Sequence, residues 1–447
     1  MKVLVAGAGR VGLAAANVAS RNGAVMIVEN NPERADVAQG VPGASVLRND
    51  ASNPKALKSA IERFKPDIVI TAVTEDGINI FIGVMTKYFA PEVKTIATIR
   101  NIDYKLDGPT PGIDAVIAPR ETTARRLSDC VLLENSTSVA CISGDLFAAT
   151  FRIAKGSRLS GKYAMNLNLS NGSIVAIYRG DEVITSVYSA QIHDEDRILV
   201  IGSRETIDNF NDLIGVDRPA RNVTVVGAGE LGIATADMIM KSPGKHIVKV
   251  VDSDMARCNA AARALRGAVV VNGPIGDPIF LRSENVDRAD AVVAVSESEE
   301  ENLLVCMNAV RFGVKKIISQ YTSEEYGDLL RYSGIECAVG YHNVITNETT
   351  SNLVTSQSNG DSSYIFDHWG EVLLFLSVDE NLPFYNMPLG DIYLPEGTRI
   401  VAVLRDGATV YPSILDRPRE GDRLVFYTSS YDPVSFSRVL GRPFRGI

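Results

Sequence analysis

The chain contains the same ordered set of motifs twice. The sequence GAGRVG at residues 7–12 recurs 220 residues later as GAGELG at residues 227–232. Further along, residues 174–177 and 196–200 are matched, 226 residues later, by residues 400–403 and 422–426. Because two separate landmarks occur in the same order in each half, we predict that the chain is a duplicated two-domain unit.

The length of 447 residues permits such an arrangement, since a domain takes ~100–200 residues. We predict four domains, at residues 1–135, 136–217, 218–355 and 356–447. The polar residues 355–361 are predicted to be a linker or surface loop inside the second pair.

Each half opens with short apolar runs that alternate with helical stretches. The predicted strands are residues 2–6, 25–28, 45–47, 68–72, 95–99 and 115–118, then 222–226, 246–251, 268–271, 291–295, 316–319 and 337–339. Such runs indicate parallel sheets covered on both faces. The fold class is therefore predicted as α/β, with two Rossmann-like doubly wound parallel-sheet domains, each followed by a small α+β domain.

Composition excludes several classes of protein. The net charge of −9 is a poor start for a nucleic-acid binder, and five cysteines without a C-x-x-C spacing argue against zinc knuckles and disulfide frameworks. No uncharged apolar run approaches the ~20 residues that cross a bilayer. Arg10 interrupts the N-terminal apolar stretch, so it is not typical of a signal peptide. We expect a cytoplasmic protein that binds no nucleic acid and does not insert into the membrane.

Each glycine motif follows a strand, opens a helix and is followed by an acidic residue at the end of the next strand. Glu29 lies 22 residues after Gly7, and Asp252 lies 25 residues after Gly227. Glycines at this spacing permit a tight turn beside a pyrophosphate, and the acid accepts hydrogen bonds from a ribose diol. The pattern favours NAD or adenine mononucleotides over NADP. The alternative is a glycine turn with an incidental acid.

Three further groups follow strands of the first predicted sheet. Asp50 and Ala51 follow the third strand, Thr74 and Asn79 follow the fourth, and Arg100 ends the fifth, where a cation could clamp phosphates. The alternative is that Asp50 and Asn79 cap helices while Arg100 makes a surface ion pair.

The second half differs from the first in charge. Glu230 takes the position of Arg10, Gln320 is predicted to take that of Arg100, and an Asn-Gly-Pro sequence at residues 272–274 replaces the loop that holds Asp50. A carboxylate without a matching arginine repels phosphates. We predict that the second site binds a less anionic adenine ligand, binds it weakly, or is vestigial.

Together these motifs resemble the potassium-conductance regulator (RCK/KTN) modules of Trk-type potassium uptake systems. The resemblance implies a peripheral cytoplasmic subunit that forms a homotetrameric ring below a TrkH/TrkG-type membrane subunit, and that gates potassium flux when NAD(H) or ATP/ADP binds. The ligand-binding residues that it implies are Gly7, Gly9, Arg10, Val11, Gly12, Glu29, Asp50, Ala51, Thr74, Asn79 and Arg100 in the first half, and Gly227, Gly229, Gly232 and Asp252 in the second.

The main alternative is an NAD-dependent dehydrogenase with duplicated Rossmann domains. Hydride transfer needs a positioned proton donor or acceptor, yet the four histidines do not occupy equivalent positions in the two halves. The H-E-x-x-H, G-x-S-x-G and G-K-[ST] motifs are absent from the sequence. A redox-sensing transcriptional regulator would need a basic reading helix, and residues 120–126 are too short and mixed in charge to form one. We therefore predict a binding protein without catalytic residues or a metal site.

Overall fold

The computed structural model describes residues 1–21, 23–100, 111–215, 220–355, 361–366, 372–429, 432–442 and 444. Residues 356–360 of the predicted linker lie outside the described residues. The described residues form two compact units, of which one contains residues 1–121 and 342–363 and the other contains residues 122–341 and 364–444.

The first sheet contains six parallel strands in the order β3-β2-β1-β4-β5-β6. The strands are β1 (Lys2–Ala6), β2 (Ala24–Glu29), β3 (Ala44–Arg48), β4 (Ile68–Thr71), β5 (Lys94–Thr98) and β6 (Ala115–Ile117). Their helices are α1 (Arg10–Ser20), α2 (Pro32–Ala38), α3 (Pro54–Phe64), α4 (Asp76–Phe89) and α5 (Pro119–Leu132). The strand order reverses between β1 and β4, where ligands of doubly wound sheets bind.

The second sheet repeats this order as β14-β13-β12-β15-β16-β17. Its strands are β12 (Asn222–Val226), β13 (Ile247–Asp252), β14 (Val269–Asn272), β15 (Ala291–Ala294), β16 (Lys316–Tyr321) and β17 (Cys337–Gly340). Its helices are α7 (Glu230–Lys241), α8 (Met255–Ala264), α9 (Pro278–Ser283), α10 (Glu299–Phe312), α11 (Glu324–Tyr332) and α12 (Tyr341–Thr355), after α6 of the preceding segment (Arg204–Ile214). Both sheets confirm the predicted fold class.

Each parallel sheet is followed by a five-stranded antiparallel sheet. The first contains β7 (Ser136–Ser143), β8 (Leu146–Arg152), β9 (Gly172–Arg179), β10 (Glu182–Ile184) and β11 (Arg197–Gly202); the second contains β18 (Ser362–Ile365), β19 (Val372–Ser377), β20 (Thr398–Arg405), β21 (Ala408–Val410) and β22 (Arg423–Thr428), followed by α13 (Pro433–Leu440). The orders β10-β9-β11-β8-β7 and β21-β20-β22-β19-β18 are equivalent. The duplication therefore extends to the topology of the small sheets.

Both small sheets repeat one buried ion pair. Arg179 donates to Asp196 at 2.9 and 2.8 Å, and Arg405 donates to Asp422 at 2.8 and 2.7 Å. Burial by itself would raise the pKa of Asp422, but hydrogen bonds from Arg405 and from the backbone N–H of Arg419 hold this pKa below its ordinary value. The sequence match at Asp196 and Asp422 thus marks a structural contact.

Helix α12 follows the second sheet in the chain but packs on the first. Leu353 is buried in the core that contains Val3, Ile70 and Ile96. The side chain of Asn352 donates to the Val116 carbonyl at 3.2 Å. Residues 342–363 therefore complete the apolar covering of the first sheet.

The C-terminal part of α5 has the reciprocal position in the other unit. The thiol of Cys130 is buried and hydrogen-bonds to the thiol of Cys337 in β17. Just after α5, the Glu134 carbonyl accepts a hydrogen bond from Lys316 in β16 at 3.3 Å. Each parallel sheet is thus contacted by a helix that the sequence places after the other sheet or before it.

The two small sheets share one apolar core within their unit. It contains Val175 and Leu199 from the first sheet and Leu373 and Val425 from the second. At its centre the hydroxyls of Tyr178 and Tyr427 lie 2.7 Å apart and are hydrogen-bonded.

This tyrosine pair gives a test of the packing between the small sheets. Tyr178→Phe or Tyr427→Phe alone should destabilise the unit by about 1–3 kcal/mol, because the remaining buried hydroxyl loses this hydrogen bond. The double variant should lose less than the two single effects added together. Thermal unfolding of all four proteins gives the coupling energy, and additive effects would contradict the contact.

No helix among the described residues combines the length and apolar character of a membrane span. In the same part of the chain, no group of histidine, cysteine, aspartate or glutamate residues is arranged to hold a metal ion.

Candidate nucleotide-binding site

Two glycines of the first motif are required by close backbone packing. Gly7 has φ +103°, and a Cβ at this position would lie 2.6 Å from the Ala72 carbonyl oxygen. A Cβ on Gly12 would overlap the carbonyl oxygen of Gly7 itself. The turn between β1 and α1 therefore packs so closely against the end of β4 that neither position accepts a side chain.

Gly9 is different, because no atom lies within 4 Å of the place where its Cβ would be. Its φ of −71° and ψ of −177° are open to any residue. It is also the N-cap of α1, where no side chain accepts a hydrogen bond from the first helical N–H groups. The fold does not need this glycine, whereas a pyrophosphate that approaches the backbone at a helix N-terminus would need it.

Glu29 lies between the end of β2 and the glycine turn. Its carboxylate accepts hydrogen bonds from the backbone N–H of Ala8 at 2.6 Å and of Asn31 at 2.8 Å, and the residue is 6% exposed. A carboxylate has about four acceptor positions, so two are left for a ribose diol.

Asn79 connects the ends of two neighbouring strands. Its side chain accepts from the Val73 N–H at 2.8 Å and donates to the carbonyls of Val73 at 3.0 Å and Thr98 at 2.9 Å. It lies inside α4, whose N-cap is Glu75, so the alternative that Asn79 caps a helix is wrong. Asn79 shapes the loop after β4 from below.

The loop after β3 presents Asp50 to solvent. Its carboxylate accepts from the backbone N–H and the hydroxyl of Ser52 at 2.8 and 2.7 Å, while Ala51 is buried in the core. Because Asn53 is the N-cap of α3, the alternative that Asp50 caps this helix is also wrong.

Two exposed arginines are held at the same edge of the sheet. Arg10 begins α1, and Arg100 follows β5, where its backbone N–H donates to the Asp76 carboxylate at 3.0 Å. Neither guanidinium forms an ion pair with a carboxylate of the described residues. The surface ion pair considered for Arg100 is therefore absent from that part of the chain.

We call the space at the carboxyl ends of β1 and β4 the first crevice. The predicted residues at this edge of the sheet are the turn 7–12, Glu29, the loop after β3, Thr74 and Arg100. Thr74 is exposed in the loop after β4, and Val11 is half-buried against the core that covers α1.

The corresponding second crevice, at the carboxyl ends of β12 and β15, repeats the backbone geometry. Gly227 has φ +116°, and a Cβ on Gly232 would overlap its carbonyl oxygen. Asp252 is 2% exposed and accepts from the N–H groups of Ala228 at 2.6 Å and Asp254 at 2.8 Å. The predicted equivalence of Glu29 and Asp252 therefore holds in their hydrogen bonds.

Asn302 is a member of the second crevice that the sequence reasoning missed. Its side chain accepts from the Ser296 N–H at 2.7 Å and donates to the Ser296 carbonyl at 3.1 Å, as Asn79 does at Val73. The signal in the sequence is the same five-residue step, from Thr74 to Asn79 and from Glu297 to Asn302.

Strand register corrects one predicted equivalence. Ile68 pairs with Lys94 in the first sheet, as Ala291 pairs with Lys316 in the second. Counted from these pairs, Arg100 corresponds to Thr322, whose N–H donates to Glu299 at 2.6 Å as that of Arg100 donates to Asp76. Gln320 corresponds to Thr98 instead, so the second crevice still lacks the arginine.

Comparison with known proteins agrees with this geometry. The TrkA-N domain model matches residues 3–119 and 223–340, and the TrkA-C domain model matches residues 148–215. The chain belongs to the TrkA family. The family model thus matches both parallel sheets with their glycine turns.

The Trk system potassium uptake protein TrkA homolog 1 of Methanosarcina mazei is 27% identical, over 96% of this chain and 97% of that TrkA protein. The crystal structure of the GsuK RCK domain superposes with a TM-score of 0.63 over 98% of this chain and 95% of that chain. The GsuK channel bound to NAD gives 0.62 over 98% and 79%. Both structures are 17% identical to the chain and show that this TrkA-family member has the fold of RCK domains.

Proposed function

We propose that the chain is a nucleotide-binding regulatory subunit of a Trk-type potassium uptake system and that NAD(H) or ATP/ADP binds in the first crevice. The observation that carries the proposal is the open space at Gly9, which the fold does not require. Arg10 and Arg100, which form no ion pair with the described residues, supply positive charge at the same edge of the sheet.

In this proposal each group has a separate role. The N-terminus of α1 and the two guanidinium groups hold the phosphates, and Glu29 accepts hydrogen bonds from the ribose diol. Because the backbone of Arg100 is hydrogen-bonded to Asp76 at the start of α4, phosphate binding at Arg100 also acts on that helix. A ligand shifts a conformational equilibrium only by its difference in affinity between two states, so one state must hold the phosphates better.

The biological setting follows from the family. The Methanosarcina relative is named as part of a potassium uptake system, and the similar GsuK structures include a channel bound to NAD. We propose a homotetrameric ring, peripheral on the cytoplasmic face of the membrane, that gates a TrkH/TrkG-type potassium-translocating subunit. This role is regulatory and not enzymatic.

Arg100→Glu should weaken ADP and NADH binding by about tenfold to hundredfold, because a charge-assisted hydrogen bond is lost and a like charge is introduced. The stabilisation by either ligand, read as the shift in melting temperature, should fall accordingly. Arg63→Glu is the matched control, since Arg63 is an exposed arginine in the last turn of α3. Equal ligand shifts in wild type and Arg100→Glu would contradict the site.

Capture from membranes tests the function itself. The immobilised chain is incubated with detergent-solubilised membranes of its source, and retained proteins are identified by mass spectrometry. A polytopic potassium transporter should be retained, and its retention should change when ADP or NADH is added. Oxidation of NADH at the expense of a small substrate would favour the dehydrogenase alternative and overturn the proposal.

A further inference from the structure

We infer that the second crevice binds a ribonucleoside without phosphate groups and excludes nucleotides. The inference rests on the proposed function in one respect, that this type of crevice is used for ligands. It concerns a different site from the one that carries the proposed function, and a different class of ligand.

The half of the crevice that would recognise a ribose is kept. Asp252 has the same two backbone hydrogen bonds as Glu29, with the same acceptor positions left over. A Cβ on Gly229 would have no neighbour closer than 4.0 Å, so the second glycine again leaves space above the turn.

The half that would hold phosphates is reversed in charge. Glu230 begins α7 where Arg10 begins α1, Glu297 takes the position of Thr74, and Thr322 takes that of Arg100. Two carboxylates therefore replace one arginine and one neutral side chain, and the second arginine is lost.

Glu297 reaches towards the place where a phosphate would lie. Its Oε1 is the atom 4.0 Å from the position of a Cβ on Gly229. Its Oε2 accepts from the guanidinium of Arg257 in α8 at 2.6 Å. The chain thus places a carboxylate of its own beside the glycine turn and pairs it with a nearby cation.

A phosphate entering this space would meet Glu297 and Glu230 and would compete with Glu297 for Arg257. Like charges at such distances repel each other, and the repulsion is stronger where water is partly excluded. A nucleoside keeps its diol contact with Asp252 and brings no negative charge. The arrangement therefore selects against phosphates while it keeps ribose recognition.

Equilibrium dialysis of labelled adenosine against the full chain in saturating ADP tests the ligand class. One equivalent of adenosine should bind per chain, and excess ADP should not displace it. With 2′,3′-dideoxyadenosine, which lacks the diol, the affinity should fall at least tenfold. Asp252→Asn should have a similar effect. Displacement of adenosine by ADP, or equal binding of the dideoxy compound, would overturn the inference.

A charge swap provides a gain-of-function test. The double variant Glu230→Arg/Glu297→Thr restores the first-crevice residues and releases Arg257 from its ion pair. The stoichiometry of ADP should rise from one to two per chain, measured by calorimetry. Two equivalents in the wild type, or one in the folded double variant, would count against the inference.

The two proposals fail in different measurements. If the wild type bound no ADP at all, the proposed function would lose its support, whereas adenosine uptake that depends on Asp252 would still stand. If ADP bound at the first crevice and adenosine did not bind, only the inference about the second crevice would fall.

Discussion

Gly12→Ala should destabilise the first parallel sheet by more than about 3 kcal/mol. The new methyl group would overlap the carbonyl oxygen of Gly7, which is backbone and cannot rotate away, so α1 must move off β1. The expected result is a large fall in the temperature of the first unfolding transition, or a chain that does not fold.

Gly77→Ala is the matched control for this substitution. Gly77 is exposed in the first turn of α4, and no atom lies within 4 Å of its added Cβ. Alanine is the better helix former, so the control should be as stable as the wild type or slightly more so. Calorimetric scans that show equal melting for both variants would mean that the tight approach at Gly12 is wrong.

Gly9→Ala should leave the fold intact and weaken ADP and NADH binding by about tenfold to hundredfold. The methyl group finds open space in the protein but fills the place where a pyrophosphate approaches the backbone. Overpacking a close contact costs about 1–3 kcal/mol, which corresponds to this loss of affinity. Isothermal titration calorimetry measures the loss, and circular dichroism verifies the fold.

Gly229→Ala supplies the control at the equivalent turn of the second half. Since we infer that ADP binds only in the first crevice, this variant should bind ADP as the wild type does. An unchanged affinity in Gly9→Ala would show that the nucleotide, if it binds, does so elsewhere.

The parallel sheets could be predicted because their signal is local. Apolar runs at the spacing of a doubly wound sheet, together with glycines such as Gly7 and Gly12, define strand, turn and helix start without knowledge of distant contacts. The acidic residues Glu29 and Asp252 were also identifiable, since each ends the strand after a glycine turn.

What could not be predicted depends on contacts between distant segments. The apolar faces of α5 and α12 indicate helices but do not say which sheet each covers. Asn79 has the same composition signal whether it binds a ligand, caps a helix or connects two strand ends, and only its three hydrogen bonds identify the connection. The equivalence of Thr322 and Arg100 required strand register, because the offset between the halves changes along the chain.

The exchange of covering helices has a consequence for the history of the chain. Leu353 and Asn352, which complete the first sheet, are encoded some 230 residues after the strands they contact. An ancestor of half this length would have needed a second polypeptide to supply the helix. A gene duplication that joined two such copies would convert this mutual dependence into a single inheritance, and from then on the two halves could diverge in ligand while neither could be discarded.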